Sequence, residues 1–458
     1  MTAALACQRP HEPPPPLPDP QDIPANVDRI ATKVLDDTGV PSAVVAAVAG
    51  GKVVYAHAYG NARLEPKTPA TLQMRYSIGS ISKQLTATAV LLLAEDGVLS
   101  LDDHVANYLP GLTRSDEITL RQLLSHTSGY PDYWPQDYLI LDVQTPTTSQ
   151  AILDRWAKGP LEFEPGTRYQ YSNTNFVIAG VICEQVSGMP LFEFLTDRVF
   201  RKLGMTSVAN IARDQLTQAD AQGYFQRALG PRHPAPPEAP GWTAAAAELA
   251  MTAEDLAKWD LSMIEQSILT PASYHQLETE VVLASGAGTR YALGVGVGLT
   301  QGHRELRHSG EVSGFVASNL VLPDDKLAVV VLTNQDASSA ADQISGRVRD
   351  VLLRIAGASQ DSDRVVRQIL DDLAGHRLDR SKLTANASAY FTGEALDEFA
   401  ASLAPLGPPE RFEPGAVTRR GAMIGRWYKV TYASRSLQIS VYETPDGKIE
   451  QFLIEEAG

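Results

Sequence analysis

Ser80 and Lys83 are the two residues whose types and spacing indicate chemistry most directly. They lie in the segment Tyr76-Ser-Ile-Gly-Ser-Ile-Ser-Lys-Gln-Leu-Thr-Ala87. Residues three apart on a helix share one face, so the serine hydroxyl and the lysine amine would be neighbours. A helix that begins at the serine would also point its first backbone N–H groups toward the group under attack. Desolvation lowers the pKa of a lysine, which can then accept the serine proton. The pair predicts a nucleophile and its base, although Ser-x-x-Lys also arises by chance at ordinary helix starts.

A second segment, Tyr171-Ser172-Asn173, carries a tyrosine that could transfer protons. It follows a Pro-Gly turn and precedes an apolar helix. A tyrosine transfers protons near neutral pH if cations lower its pKa, and Lys83 is the candidate cation. Taken alone, these residues are also typical of a hydrogen-bonded loop tyrosine followed by an asparagine at a helix N-cap.

A third segment, His308-Ser309-Gly310, leads into Glu311 at the end of a predicted strand. Glycine at 310 would let the strand backbone approach a substrate closely, and the N–H of Glu311 could donate to an oxyanion. Taken alone, such a segment is ordinary turn chemistry.

The elements that must position these segments alternate between strands and helices. A hairpin with the turn Gly50-Gly51 precedes the nucleophile helix, which ends near Gly97, and residues 100–265 are mostly helical. Strand character returns at 291–298, 315–322 and 327–332. One strand pair at the start and several at the end predict an α+β fold: a single antiparallel sheet flanked by helices, with an inserted helical subdomain.

The chain divides into four predicted segments. Residues 1–26 are a proline-rich leader in which Cys7 follows Ala-Leu-Ala, as at a bacterial lipoprotein site, but without a charged n-region or an apolar h-region. We therefore expect an exported protein with a lipid anchor at Cys7, or alternatively a plain disordered leader. Residues 27–355 form the main domain, 356–378 a linker helix with one apolar stripe, and 379–458 a small α+β domain with an antiparallel sheet.

Composition limits the partners. The 39 Lys and Arg residues against 54 Asp and Glu residues give a net charge of −15, and no basic cluster is interleaved with aromatics, so we expect no nucleic acid. No apolar run near the motifs is long enough to cross a bilayer. The two cysteines, Cys7 and Cys183, make neither a disulfide framework nor a metal-ligand pattern. We expect no metal, no cofactor and a small-molecule or peptide substrate, while the oligomeric state stays open.

The order, spacing and flanking residues of these motifs resemble the serine β-lactamase/penicillin-binding-protein superfamily. The resemblance is to its class C β-lactamase-like and D-alanyl-D-alanine carboxypeptidase-like branch, and it covers roughly residues 27–355. It is carried by the nucleophile segment, Leu120-Arg-Gln-Leu-Leu-Ser-His-Thr-Ser-Gly129, Glu164-Pro-Gly-Thr-Arg-Tyr-Gln-Tyr-Ser-Asn173, Leu203-Gly-Met205 and His308-Ser-Gly310. The resemblance implies a β-lactamase/transpeptidase-like fold for the main domain.

The resemblance also implies a role for each matched residue. Ser80 would be the acylated nucleophile, Lys83 its activating partner and Tyr171 the general acid/base. Asn173 would bind a substrate carbonyl, and the backbone N–H groups of Ser80 and Glu311 would form the oxyanion hole. The substrate-binding set is Asn173, His308, Ser309, Gly310 and Glu311.

Three of the matched positions qualify this expectation. His308 stands where β-lactamases usually carry a lysine that meets the substrate carboxylate. Because histidine is only weakly cationic near neutral pH, this favours a peptidase or an esterase over a dedicated β-lactamase. Glu311 would repel a carboxylate or attract an amine if it points inward, and would do neither if it points to solvent. His126 is expected to be a buried histidine that closes a turn.

Three functions remain as hypotheses. The first is an acyl-serine hydrolase that cleaves a small amide or ester, such as a D-amino-acid peptide or a β-lactam-like compound. The second is a carboxylesterase of the same fold, and the third is a β-lactam- or peptidoglycan-binding sensor with little turnover. An α/β-hydrolase is disfavoured because the chain has no Gly-x-Ser-x-Gly segment. Zinc hydrolysis is disfavoured because His303 and His308 lack companion ligands.

Overall fold

The computed structural model describes residues 23–134, 141–357, 360–421, 423–444 and 446–456. The predictions for Cys7 and for most of the proline-rich leader fall outside these residues. The last four residues of the predicted leader belong instead to the first helix, Ile23–Thr38, where Asn26 is already buried. Pro24 is compatible with this helix because a proline in the first turn costs no backbone hydrogen bond.

The described helices and strands are numbered here in chain order. The helices are α1 Ile23–Thr38, α2 Ser82–Glu95, α3 Leu120–Leu124, α4 Ser149–Ile152, α5 Asn173–Ser187, α6 Leu191–Leu195, α7 Arg201–Leu203, α8 Ala253–Glu265, α9 Pro271–Glu278, α10 Ala340–Gly357, α11 Gln360–Ala374, α12 Ala385–Tyr390 and α13 Gly393–Leu403. The strands are β1 Ser42–Ala49, β2 Lys52–Arg63, β3 Thr68–Pro69, β4 Tyr76–Ser77, β5 Ala209–Asn210, β6 Tyr224–Gln226, β7 Arg232–Pro234, β8 Leu249–Met251, β9 Gly296–Thr300, β10 His303–Val312, β11 Phe315–Leu322, β12 Leu327–Thr333, β13 Arg411–Arg420, β14 Met423–Thr431, β15 Ser436–Glu443 and β16 Ile449–Glu456.

One antiparallel sheet of seven strands organises the described residues between 23 and 357. Its order is β3-β2-β1-β12-β11-β10-β9, so the first hairpin and the last strands of this part meet at the pair β1·β12. The predicted hairpin is present, and Gly50 and Gly51 both have positive φ, as a two-residue hairpin turn requires. The antiparallel sheet predicted from the sequence is therefore confirmed, but it is not the single sheet expected, since two small sheets, β4-β8-β5 and β6-β7, accompany it.

Alternating side chains of the central strands feed two different cores. Along β1, Ala43, Val45 and Ala47 pack with α1 and α10, whereas Val44, Ala46 and Val48 pack with the helical region between β4 and β9. Successive side chains of a strand point to opposite faces of the sheet, so both faces of β1 are buried. The predicted insertion of a helical subdomain is confirmed, and α2, which carries the predicted nucleophile segment, lies in its core with twelve of its residues buried.

The sequence misplaced one strand of this sheet. Residues 291–298 were expected to form a strand, but β9 begins only at Gly296. The preceding residues form a tight connection in which Ala292 N–H donates to the carbonyl of Val295, and Gly294 has positive φ. The glycines of this segment permit that turn, which interrupts the apolar run.

Residues after 360 form a second unit with its own hydrophobic core. Strands β13 to β16 make a four-stranded antiparallel meander covered by α11, α12 and α13. The apolar stripe of the predicted linker helix is buried in this core at Val366, Ile369, Leu370 and Leu373. Residues 360–374 are therefore part of the small α+β domain rather than a linker. The helix expected over 387–403 is broken at Phe391 and Thr392, and Thr392 N-caps α13.

Candidate active site

Ser80 lies in a short 3₁₀ turn, Gly79–Ile81, between β4 and α2. The sequence predicted that the helix begins at the serine, but α2 begins two residues later, at Ser82. The hydroxyl of Ser82 fixes the turn, because it donates to the carbonyl of Gly79 at 2.7 Å and accepts from the N–H of Leu249 at 3.1 Å. Through Ser82, the turn that holds Ser80 is thus linked to β8.

Lys83 is fully buried, and its amine contacts three oxygen atoms. Nζ lies 2.9 Å from Ser80 Oγ, 2.7 Å from Asn173 Oδ1 and 2.9 Å from the carbonyl oxygen of Ala246. Burial lowers the pKa of Lys83 to about 7, and the negative charge of Asp132 opposes part of that fall. Near neutral pH a large fraction of the amine is therefore neutral and able to accept a proton from Ser80.

Tyr171 lies beside the same pair, enclosed by other rings. Its phenol is hydrogen-bonded to Ser80, and Lys83 Nζ lies 4.9 Å from the centroid of its ring. The pKa of Tyr171 is raised by burial, and the hydrogen bond to Ser80 opposes this rise. The expectation that Lys83 lowers this pKa is wrong, because the effect of burial on the phenol dominates. Tyr171 is a neutral phenol near neutral pH, which can donate a proton.

Asn173 is the first residue of α5, and its side chain joins Lys83 to Asp132. Its amide oxygen accepts from Lys83, and its amide nitrogen donates to Asp132 Oδ1 at 3.1 Å and Oδ2 at 3.2 Å. The helix N-cap is Ser172, not Asn173. Its predicted role in binding a substrate carbonyl stays a prediction, and both ends of its amide already have partners inside the protein.

The two residues predicted to supply the oxyanion hole lie where β10 meets the 3₁₀ turn of Ser80, although their role stays a prediction. An ideal Cβ built on Gly310 would lie 1.8 Å from the carbonyl oxygen of Ile78 and 3.0 Å from the amide nitrogen of Ser80. Gly79 in turn lies against Glu311, since a Cβ there would lie 2.6 Å from the Glu311 nitrogen. The two backbone nitrogens proposed as donors, those of Ser80 and Glu311, are therefore neighbours.

The carboxylate of Glu311 lies at the exposed rim. Glu311 is solvent-exposed, and its Oε1 accepts from the N–H of Ala337 at 2.7 Å. The sequence left open whether the Glu311 side chain points into the pocket or to solvent, and it points to solvent. Ser309, on the same face of β10, is exposed as well.

His308 is buried and neutral. Its Nδ1 lies 2.5 Å from the carbonyl oxygen of Ser309, which can only accept, so Nδ1 carries the proton. Nε2 then accepts from the hydroxyl of Tyr291 at 2.8 Å. Burial and the nearby charge of Lys83 lower the pKa of His308 to about 3. The weakly cationic histidine expected from the sequence is therefore corrected to a neutral ring.

His126 is buried and closes a turn, as predicted. Its backbone has φ of +57° and its N–H donates to the carbonyl of Leu123. Its Nδ1 accepts from the N–H of Ser172 at 3.1 Å, and its ring centroid lies 4.2 Å from that of Tyr171. Burial lowers the pKa of His126 well below its usual value. This neutral ring supports the segment that carries Tyr171.

A cavity of about 410 Å³ lies beside Tyr171 and His308, at the edge of the sheet where β9 begins. Tyr171, His308 and Ser309 line one part of it, and β11 and α10 line another. Two arginines line this cavity. Arg349 is paired with Glu305 at 3.0 Å. The side chain of Arg307 is 72% exposed and makes a longer contact, 3.9 Å, with the same carboxylate.

Three contributors to the site were missed by the sequence interpretation. Asp132 follows the quoted Leu120–Gly129 motif by three residues, and that position beside a recognised motif was the one signal that could have drawn attention to it. The carbonyl of Ala246 and the hydroxyl of Tyr291 contact Lys83 and His308 from segments without any chemical motif. Such contacts depend on tertiary structure.

Two further observations concern metal sites and membrane-spanning helices. Within the described ranges, no group of three or more His, Cys, Asp or Glu side chains is placed to hold a metal ion. In the same residues no single helix is long and apolar enough to cross a membrane. The sharply bent pair Asn173–Ser187 and Leu191–Leu203 meets that test only by combined length and composition.

Comparisons with known proteins bear on the same region of the chain. A family model described as Beta-lactamase matches residues 27–353. Penicillin-binding protein 4* of Bacillus subtilis (strain 168) is 28% identical over 314 residues, which cover 65% of this chain and 69% of that protein. A D-aminopeptidase of Brucella anthropi is 28% identical over 322 residues, covering 69% of this chain and 60% of that protein. The match thus spans less than two thirds of the length of that second relative.

Two solved structures are similar in fold. A D-stereospecific amidohydrolase from Streptomyces sp. has a TM-score of 0.62 at 26% identity, covering 70% of this chain and 96% of that chain. The octameric penicillin-binding protein homologue from Pyrococcus abyssi has a TM-score of 0.64 at 21% identity, covering 95% of this chain and 100% of that chain. The second likeness shows the fold alone, and it extends into the part of the chain that holds β13 to β16.

Proposed function

Because the chain belongs to the Beta-lactamase family, we propose that it hydrolyses a small amide or ester through a covalent acyl-enzyme at Ser80. The observation that carries the proposal is the 2.9 Å contact between the Ser80 hydroxyl and the amine of the fully buried Lys83. A buried amine whose pKa is lowered to about 7 is a base matched to neutral pH.

Acylation begins when the neutral amine of Lys83 accepts the proton of Ser80 Oγ. The oxygen forms a bond to the substrate carbonyl carbon, and the carbonyl oxygen becomes an oxyanion. The backbone N–H groups of Ser80 and Glu311 donate to this oxyanion, and each such donor typically contributes about 3 kcal/mol to transition-state stabilisation. Their proximity, enforced by Gly310 and Gly79, supports this step.

The leaving group departs with a proton that Tyr171 supplies. When the bond from the carbonyl carbon to the nitrogen or oxygen of the leaving group breaks, the neutral phenol donates its proton, and the proton held by Lys83 restores the phenol. Water then attacks the ester at Ser80, gives one proton back through the same groups and releases the carboxylic acid. The phenol must be protonated at rest for this order of events, and the raised pKa of Tyr171 supports that state.

The cavity beside Tyr171 supports a leaving group of limited size. The group that receives the proton of Tyr171 must lie next to that phenol, and Tyr171 lines the cavity. The relatives named D-aminopeptidase and D-stereospecific amidohydrolase support an amide or peptide of a D-amino acid as the substrate class. A carboxylesterase is the second candidate, because His308 is neutral and provides no cation for a substrate carboxylate.

A mass-spectrometric time course tests the proposal. The protein is incubated separately with a D-amino-acid amide, a D-Ala-D-Ala peptide, a short-chain nitrophenyl ester and a β-lactam. We expect a transient adduct at Ser80 and release of product. Ser80→Ala should lose both adduct and product, and retention of either by this variant would refute the mechanism. Cleavage of the ester alone would favour the carboxylesterase, and a long-lived β-lactam adduct without product would favour a sensor.

A further inference from the structure

The three oxygen atoms around Lys83 differ in what they can do. The carbonyl oxygen of Ala246 and the amide oxygen of Asn173 can only accept hydrogen bonds, whereas the Ser80 hydroxyl can donate or accept. A neutral amine has two N–H donors and one lone pair. Both donors are therefore used by Ala246 and Asn173, and the lone pair remains for the hydroxyl hydrogen of Ser80.

This arrangement depends on which end of the Asn173 amide faces Lys83. An asparagine side chain has nearly the same shape when its oxygen and nitrogen are exchanged, so neighbouring groups determine its orientation. Here the carboxylate of Asp132, which only accepts, lies 3.1 and 3.2 Å from Asn173 Nδ2. The carboxylate thus keeps the nitrogen on its own side and the oxygen toward Lys83.

Asp132 is itself held in place by the backbone. Its Oδ1 accepts from the N–H of Asn173 at 2.9 Å and from the N–H of Trp134 at 3.1 Å. The carboxylate, the amide and the amine therefore form a continuous chain from the 132–134 loop to the nucleophile. No motif of the sequence includes this residue.

We propose that Asp132 is a positioning residue: it fixes the Asn173 amide so that the lone pair of neutral Lys83 points at the Ser80 hydroxyl. The proposal rests on the function proposed above, because it concerns the activation of Ser80. If the carboxylate becomes an amide, its new nitrogen opposes Asn173 Nδ2, and the Asn173 side chain rotates to avoid two facing donors. Its nitrogen then donates to the lone pair of Lys83, and the base is no longer available to Ser80.

The charges around Lys83 give the proposal a second readout. The titratable groups that face the amine or interact with its charge are Asp132, Tyr171, His126 and His308. Tyr171 is a neutral phenol and both histidines are neutral rings, so Asp132 provides the negative charge that raises the pKa of Lys83. Removing that charge should lower the pKa further, and the acid limb of the pH profile should move to lower pH.

The test compares Asp132→Asn with Asp132→Glu and with Asp220→Asn in the full chain. Asp220 is the control because it too is a hydrogen-bonded carboxylate, here buried and paired with Arg75, in another part of the domain. The profile of kcat/KM against pH is measured with an uncharged ester. For Asp132→Asn we expect the plateau to fall at least tenfold and the acid limb to move down by about one pH unit. Asp132→Glu keeps the charge and should keep the acid limb near its original pH.

A merely structural role would give a different pattern. It would lower the thermal stability of Asp132→Asn and Asp220→Asn alike and leave the acid limb of both unchanged, and this outcome would overturn the proposal. If Asp132→Asn does not fold, Asp132→Ser removes the charge while keeping an acceptor for the Asn173 N–H, and the same shift is expected. Failure of the proposed function is distinguishable, since Ser80→Ala would then still release product or carry an adduct at another residue.

Discussion

The backbone of Gly310 lies in direct contact with the carbonyl of Ile78, so that no side chain fits between β10 and the nucleophile turn. A Cβ on residue 310 would lie 1.8 Å from the Ile78 oxygen, well inside any real contact distance. The φ of Gly310 is not in the left-handed region. Glycine is therefore required at this position for lack of space, and the same contact brings together the backbone nitrogens of Ser80 and Glu311, which we propose as oxyanion donors.

Gly310→Ala should separate the strand from the turn and weaken the oxyanion hole. We expect kcat/KM for an ester to fall at least a hundredfold, because one oxyanion donor is typically worth about 10²–10³ in rate. The matched control is Gly298→Ala in β9, where a Cβ would meet nothing within 4 Å. The control should retain activity within about twofold. Equal activity of the two variants, with both folded by circular dichroism, would contradict the assignment of the oxyanion hole.

The pH dependence of the unmodified protein follows from Lys83. Its pKa is lowered to about 7, so the amine is protonated and inactive as a base below that pH and neutral above it. We expect kcat/KM for an uncharged ester to rise about tenfold per pH unit up to pH 7 and then to level off. Because burial raises the pKa of Tyr171, no decline from this phenol is expected between pH 8 and 10.

A permanently charged residue tests that explanation. Lys83→Arg keeps a cation at the position but cannot accept a proton, so the variant should be inactive at every pH. An acid limb near pH 4, or activity in Lys83→Arg, would show that another group acts as the base.

The sequence predicted best those parts of the site whose residues lie close together along the chain. Ser80 and Lys83 are three residues apart, and helical geometry alone makes them neighbours. Tyr171 and His308 could be placed only through the family resemblance, because no local rule brings residues so far apart together. The pKa of Tyr171 is raised rather than lowered, because burial among rings such as those of His126 and Tyr291 dominates, and the local sequence does not reveal those neighbours.

The fold was likewise predictable where the local pattern of residues is clear, and not where an element depends on distant partners. Nearly continuous apolar runs located β1, β11 and β12, because each of these strands is buried on both faces. Strand β13, whose residues Arg411–Arg420 include a proline and lie at the edge of the sheet, carries no clear two-residue period and was not predicted. Helix α11 was predicted, but its membership of the second core depends on partners such as Tyr428 and Ile439 that its own pattern does not reveal.

Arg307 offers a test of what the cavity recognises. Its exposed guanidinium lines the cavity beside Tyr171, where we place the leaving group. For a peptide with a free terminal carboxylate, Arg307→Gln should raise KM about tenfold, which corresponds to about 1.4 kcal/mol. The same peptide ending in a carboxamide should be unaffected. Arg347→Gln, an exposed arginine of α10 that does not line the cavity, is the control. An equal effect on both peptides would remove Arg307 from carboxylate recognition.

The boundary between the two cores predicts different behaviour for two truncations. A chain ending at residue 357 keeps α10 and removes the second core completely, so the remaining domain should stay monodisperse and retain its own thermal transition. A chain ending at 378 keeps α11 without its partners and exposes Val366, Ile369, Leu370 and Leu373. Such an apolar stripe promotes association. Size-exclusion chromatography should therefore show aggregation only for the longer chain. If the shorter chain aggregated and the longer one did not, α11 would stabilise the first domain, and the assignment of this helix to the second unit would be wrong.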